Sequence, residues 1–163
     1  TDMFDGKVAS TMKRTDSEKA FGIQIDSLCD LISFGALPLA IGYGIGLSGG
    51  FFYASCVLYL LCAIIRLAYF NVDEAQRQKN ETGKRKSYYG LPVTTAALLF
   101  PMIFGLESVL KGAMPVIYQI ALFGCAAAFV LKFKLPKAGK KGIPLLVILG
   151  IAITVLVISS GLK

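Results

Sequence analysis

Residues 143–162 form a run of twenty positions without one charged side chain. A helix of a soluble bundle sets an apolar stripe against a polar face, and this run has no polar face to offer. About 20 apolar residues, rising ~1.5 Å each, match the ~30 Å hydrocarbon layer of a bilayer. Four more runs of similar length and character lie at about residues 22–47, 51–70, 91–110 and 113–131. The chain of 163 residues therefore reads as one all-α integral membrane domain. It is a polytopic helical bundle with five spans, about 22–47, 51–70, 91–110, 113–131 and 143–162, behind a cytoplasmic segment over residues 1–21. Charged residues make up 17% of the chain against about 25% in soluble proteins, which excludes a disordered tail or a nucleic-acid-binding domain.

The net charge of +7 fits the same topology. Of the seventeen Lys and Arg, fourteen fall before the first run, between the second and third, or between the fourth and fifth, and Arg66 near the end of the second run makes fifteen on that side. Cytoplasmic loops beside membrane spans carry such an excess. The N-terminal segment and the loops at about 71–89 and 132–142 are thus expected on the cytoplasmic side, and the C-terminus outside. The stretch before the first run lacks the apolar core of a signal peptide. It opens on an acidic motif without an initiator Met, which implies a chain truncated at its N-terminus.

There are no histidines, so imidazole is absent as general base and as metal ligand. Cys29, Cys56, Cys62 and Cys125 lie in apolar runs without Cys-x-x-Cys spacing and read as small buried hydrophobes. Any metal must then sit on oxygen, and any base must be a carboxylate, an amine or a tyrosine.

Four acids demand explanation: Asp2 and Asp5 before the first run, and Asp26 and Asp30 within it. A charge at the centre of a membrane helix costs about 2.5–3.5 kcal/mol on the mildest scale, so an acid kept there is a functional candidate. Asp26 and Asp30 are four apart and share a helix face with Gly22, and Asp2 and Asp5 are three apart. Either pair alone would pass as wetted interfacial charge; both pairs together with Gly6 and Gly22 would not. Carboxylates crowded in a low dielectric repel unless a divalent cation bridges them. Hard oxygen ligands without His or Cys select Mg²⁺ or Mn²⁺, with Ca²⁺ as competitor, and such ions serve phosphate chemistry. A glycine lets backbone approach a bulky phosphorylated ligand.

The run Asp2-x2-Asp5-Gly6-x2-Ala9 followed by Gly22-x3-Asp26-x3-Asp30 closely resembles the signature of the CDP-alcohol phosphotransferases, membrane enzymes that move a phosphatidyl or similar group from a CDP-linked lipid to an alcohol and release CMP. Within that family, Asp26-Ser27-Leu28-Cys29-Asp30 leading to Phe34-Gly35, Arg66 to Asn71, and Gly90-Leu91-Pro92 resemble the phosphatidylserine synthase branch. The likeness covers about residues 1–135. The chain departs from the family pattern at Ser10, where an Arg is usual, and in a longer gap between Ala9 and Gly22. Lys13 or Arg14 would supply the missing phosphate contact from that longer loop. The family's first helix and most of its second are also missing, in keeping with truncation.

The resemblance implies roles. Asp2, Asp5, Asp26 and Asp30 would hold a pair of Mg²⁺ or Mn²⁺ ions, with Asp30 also the general base. Asp2, Gly6, Ala9, Gly22 and Asp26 would bind the CDP-lipid. The implied substrates are CDP-diacylglycerol and L-serine, in a membrane, with a homodimer expected; Gly42, Gly44 and Gly46 would allow close helix contact. Arg66 stands open between a lipid phosphate or serine carboxylate contact and a snorkelling anchor. Asn71 enters as a substrate hydrogen-bond partner. Lys84, Arg85 and Lys86 read first as interfacial anchors, and Tyr88 and Tyr89 as part of an aromatic belt. Two alternatives stay open: another acceptor, such as glycerol 3-phosphate or inositol phosphate, and a cation transporter, which would spread its acids over several helices near the midplane.

Overall fold

A computed structural model of the chain describes residues 15–80, 87–106, 111–136 and 150–155. Asp2, Asp5, Gly6, Ala9, Ser10, Lys13, Arg14, the basic run 84–86 and most of the last apolar run lie outside the described residues. Helix α1, Asp16–Asp30, starts at a capping box: the Glu18 N–H donates to Thr15 Oγ1 at 3.3 Å and the Thr15 N–H to the Glu18 carboxylate at 2.7 Å. Two N–H groups that a helix start leaves without partners are thereby satisfied. The helix runs on through a π-helical segment, Leu31–Ala36, into α2, Leu37–Gly44.

Gly46 and Gly49, at φ +91° and +94°, turn the chain into α3, Gly50–Asn80. Left-handed backbone of this kind costs glycine little and other residues more. Strand β1, Ser87–Tyr89, leads through a 3₁₀ turn, Val93–Thr95, into α4, Ala96–Gly105. A second 3₁₀ turn, Lys111–Ala113, opens α5, Met114–Val130, whose first turn holds Pro115. Strand β2, Lys134–Pro136, pairs antiparallel with β1, Ser87 opposite Pro136 and Tyr89 opposite Lys134. Residues 150–155 are helical.

The described chain is thus helical as expected, with one small ribbon that the apolar pattern does not announce. Asp16–Gly44 and Gly50–Gln76 are long and apolar enough to cross a membrane, while Val93–Gly105 and Met114–Val130 are shorter apolar helices. Two boundaries differ from the apolar runs. Residues 71–80, expected in a loop, continue α3, because hydropathy marks where lipid ends and not where the backbone stops being helical. Leu91 and Pro92 are not helical, since Pro92 has no N–H to donate and restricts the residue before it.

Packing is inverted relative to a soluble bundle. The buried positions of α3 are Phe52, Ser55, Tyr59, Cys62, Ala63 and Arg66, while Val57, Leu58, Leu61, Ile64 and Ile65 face outward. Along 51–70 the polar Ser55 and the charged Arg66 are inside while these aliphatic side chains are outside, the reverse of a helix facing water and the arrangement a lipid solvent favours. The buried Gln119 amide donates to Ser55 Oγ at 2.6 Å, and that hydroxyl donates to the Phe52 carbonyl at 2.7 Å. Such bonds join helices where no water competes.

Two buried tyrosines hold α1 and α2 to the bundle. Pro38 has no N–H for the Phe34 carbonyl one turn back, and the Tyr59 hydroxyl of α3 donates to that carbonyl at 2.7 Å. The Tyr118 hydroxyl of α5 donates to the Pro38 carbonyl, also at 2.7 Å. Both rings belong to one aromatic core: Phe100 lies 5.8 Å from Tyr59 and 4.9 Å from Tyr118, centroid to centroid. Gly42 lets α2 into this core, because a Cβ there would lie 3.1 Å from Phe52 and 3.2 Å from Tyr118. That close approach is within one chain, so Gly42 is not available to the helix contact between copies expected for it.

Candidate active site

Asp26 and Asp30 stand one turn apart at the end of α1, Asp26 exposed and Asp30 half-buried. Gly22, one turn earlier, continues the stripe and is half-buried too. Asp30 lines a pocket of about 320 Å³ with Arg66, Leu67 and Phe70 of α3 and with Pro92, Val93 and Thr94. A cavity of this size, mostly apolar with a few converging polar groups, is the usual form of a small-molecule site.

Arg66 forms the back of that pocket. Its side chain is only 6% exposed, with Nε donating to the Leu91 carbonyl at 2.8 Å and an Nη to the Gly90 carbonyl at 3.1 Å. The planar fork of a guanidinium suits two adjacent carbonyls as a lysine would not. Arg66 therefore does not snorkel; it braces the Gly90-Leu91-Pro92 corner against α3. The same corner is tied to the end of α5, where the Leu91 N–H donates to the Ala128 carbonyl at 3.2 Å and the Gly90 N–H to the Phe133 carbonyl at 2.7 Å. Ala128 is among the last four carbonyls of α5, which have no partner within the helix. Gly90 sits at φ +75°, and a Cβ there would lie 2.9 Å from the Leu131 carbonyl.

Asn71 follows Phe70 on α3, and its amide donates to Ser27 Oγ at 2.8 Å. Its observed partner is the serine of the Asp-Ser-x-x-Asp run. Lys132, just beyond α5, holds its ammonium 5.8 Å from the centroid of the Tyr69 ring. Cys62 and Cys125 are buried and Cys56 half-buried, but Cys29 on α1 is exposed, against the expectation of four buried thiols. It lies on a helix with no buried residue.

Among the described residues no three acids, cysteines or histidines converge as a metal site. Asp26 and Asp30 are there; Asp2 and Asp5 lie outside the described residues. The described part of the donor set fits a hard divalent cation, with two carboxylates in one stripe and no imidazole. Ser27 and Gly90 stand in the branch-like runs of the sequence without a role assigned to them, and Thr94 and Tyr59 are not singled out there.

Residues 1–131 match the family model described as CDP-alcohol phosphatidyltransferase. The chain belongs to this family. It is 42% identical over 105 residues to the CDP-diacylglycerol–serine O-phosphatidyltransferase of Saccharomyces cerevisiae, covering 63% of this chain and 37% of the yeast protein. It is 38% identical over 100 residues to the archaetidylserine synthase of Methanothermobacter thermautotrophicus, covering 60% of this chain and 38% of that one. A third relative, the CDP-diacylglycerol–serine O-phosphatidyltransferase of Bacillus subtilis, is 26% identical over 137 residues, covering 83% of this chain and 68% of that protein. The chain thus spans less than two fifths of the yeast and archaeal relatives. As a CDP-alcohol phosphatidyltransferase domain it carries Asp26 and Asp30 on α1, with Asp30 lining the pocket that Arg66 also lines.

Proposed function

We propose that this chain carries the catalytic part of an enzyme that transfers the phosphatidyl group of CDP-diacylglycerol to L-serine, giving phosphatidylserine and CMP. The observation that carries this reading is Asp30, a half-buried carboxylate of the family motif, in a pocket of small-molecule size beside a buried Arg66. The relatives named as serine O-phosphatidyltransferases support serine as the acceptor.

In this reading Asp30 accepts the proton of the serine hydroxyl as that oxygen attacks the β-phosphorus. The bond from that phosphorus to the bridging oxygen breaks, and CMP leaves with the electron pair. A base so placed contributes about 10²–10⁴-fold. Asp2, Asp5, Asp26 and Asp30 would hold Mg²⁺ or Mn²⁺, which when bound neutralises the diphosphate and polarises phosphorus. Asp2, Gly6, Ala9, Gly22 and Asp26 would receive the CDP-lipid, and Lys13 or Arg14 a phosphate. Arg66 would set the wall of the acceptor pocket through the Gly90-Leu91-Pro92 corner. The domain would span the membrane five times with this site on the cytoplasmic side, and would pair as a homodimer.

The test is CMP release from CDP-diacylglycerol by the full-length protein in liposomes with Mg²⁺ or Mn²⁺, offering L-serine, glycerol 3-phosphate or inositol phosphate. Release with serine alone is expected. Release only with a phosphorylated acceptor would overturn the assignment to serine, and no release with any acceptor would overturn the transferase reading.

A further inference from the structure

Helix α1 carries both described motif acids, yet none of its residues is buried. Its packing runs mainly along the chain, into the π-helical segment that follows. Beyond Asp30 the helix is pinned, because Tyr59 holds Phe34 and Tyr118 holds Pro38. Before Asp30, a lateral tie comes from α3: the Asn71 amide donates to Ser27 Oγ at 2.8 Å, across 44 residues of chain, at a partly buried position. Ser27 is the neighbour of Asp26 and stands three residues before Asp30. At ~100° per residue it lies about 60° round the helix from Asp30, on the flank of the acid stripe.

We infer that Asn71 is a positioning residue, which sets the rotation of α1 through Ser27 and so aims Asp30 into its pocket. The inference rests on Asp30 being the base proposed above. Leverage makes the bond matter. With side chains extending ~5–6 Å from a helix axis, a rotation of about 10° moves a carboxylate by about 1 Å, and a misplacement of about 1 Å costs about 10²-fold in rate. With its amide already on Ser27, Asn71 acts without touching the acceptor, so its loss lowers turnover and leaves acceptor affinity in place.

The experiment is a double-mutant cycle in the full-length protein in liposomes, reading kcat and the KM for L-serine from CMP release. The variants are Asn71→Ala, Ser27→Ala and both together, with Ser27→Thr as the conservative variant and Asp30→Asn as reference. Both single variants and the double are expected to lose kcat by the same factor, about 10–100-fold, with KM changed less than about twofold. Ser27→Thr, which keeps the hydroxyl, retains most of the turnover. Losses that multiply in the double variant would overturn the proposal. So would a raised KM in Asn71→Ala beside a normal Ser27→Ala, or a Ser27→Thr as impaired as Ser27→Ala. If the alanine variants do not fold, Ser27→Thr alone decides. Serine-dependent turnover in the wild type and its loss in Asp30→Asn report on the base reading. An inactive wild type removes that reading and the positioning role together, whereas an active wild type with an additive cycle removes only the latter.

Discussion

Arg66 Nε donates to the carbonyl of Leu91 at 2.8 Å, joining the middle of α3 to a corner 25 residues further along the chain. The next carbonyl, that of Gly90, takes the second bond of the same guanidinium. One buried cation thus shapes one wall of the Asp30 pocket, and the Gly-Leu-Pro run and the span-end arginine, two separate sequence signals, become one object.

Replacing Arg66 by Lys keeps the charge and loses the fork. One of two adjacent carbonyls is then left without its partner in a buried place, at a cost of about 1–3 kcal/mol. Thermal unfolding in detergent should show a lower midpoint for Arg66→Lys and a lower one still for Arg66→Ala. A midpoint unchanged in both would show that the brace contributes nothing.

Gly90→Ala forces a methyl to within 2.9 Å of the Leu131 carbonyl, at a φ of +75° that alanine adopts poorly. The α5 end and the ribbon behind it have to shift. The variant is expected to lose about 1–3 kcal/mol and to expose the 87–91 segment to protease, with limited proteolysis as the readout. Wild-type cleavage kinetics would argue that the corner is free to adjust.

Tyr59→Phe removes a single hydroxyl and takes from the Phe34 carbonyl the side-chain donor it has in the structure, one turn before Pro38, which has no N–H to replace it. A loss of about 1–3 kcal/mol is expected, with the ring packing against Phe100 and Phe129 retained. The Tyr118→Phe variant should cost less. The Pro38 carbonyl keeps the N–H of Gly42 within reach, since both lie in the α2 helix. Equal melting of the two variants would contradict this ordering.

Chelation with EDTA should abolish turnover of the full-length protein, and Mg²⁺ or Mn²⁺ should restore it, if hard carboxylate oxygens supply the ligands. Zn²⁺ should serve poorly, since the chain has no histidine and its cysteines do not converge among the described residues. Activity that persists in EDTA would remove the metal from the account.

The sequence made the membrane character legible through its apolar runs, and the Asp26 and Asp30 stripe through its four-residue spacing, because both are local periodicities. Arg66 was visible as a residue and not as a brace, since its acceptors are backbone carbonyls and any residue has one. The partnership of Asn71 with Ser27 was hidden for a related reason: a polar pair 44 positions apart has no spacing rule. Residues 71–80 are helical where their polarity suggests a loop, because polarity reports on solvent, whereas helicity follows from propagation beyond the apolar run. A small residue serves equally against a second copy or against an aromatic core of the same chain, and at Gly42 it is Phe52 and Tyr118 of the same chain that press close.

The most direct measurement of the central claim is serine-dependent CMP release by the full-length wild type against Asp30→Asn, alongside binding of CDP-diacylglycerol to both. The account predicts that the Asn variant binds the CDP-lipid as the wild type does, while its turnover falls by about 10²–10⁴-fold or more. An Asp30→Asn enzyme that still releases CMP at the wild-type rate would contradict it.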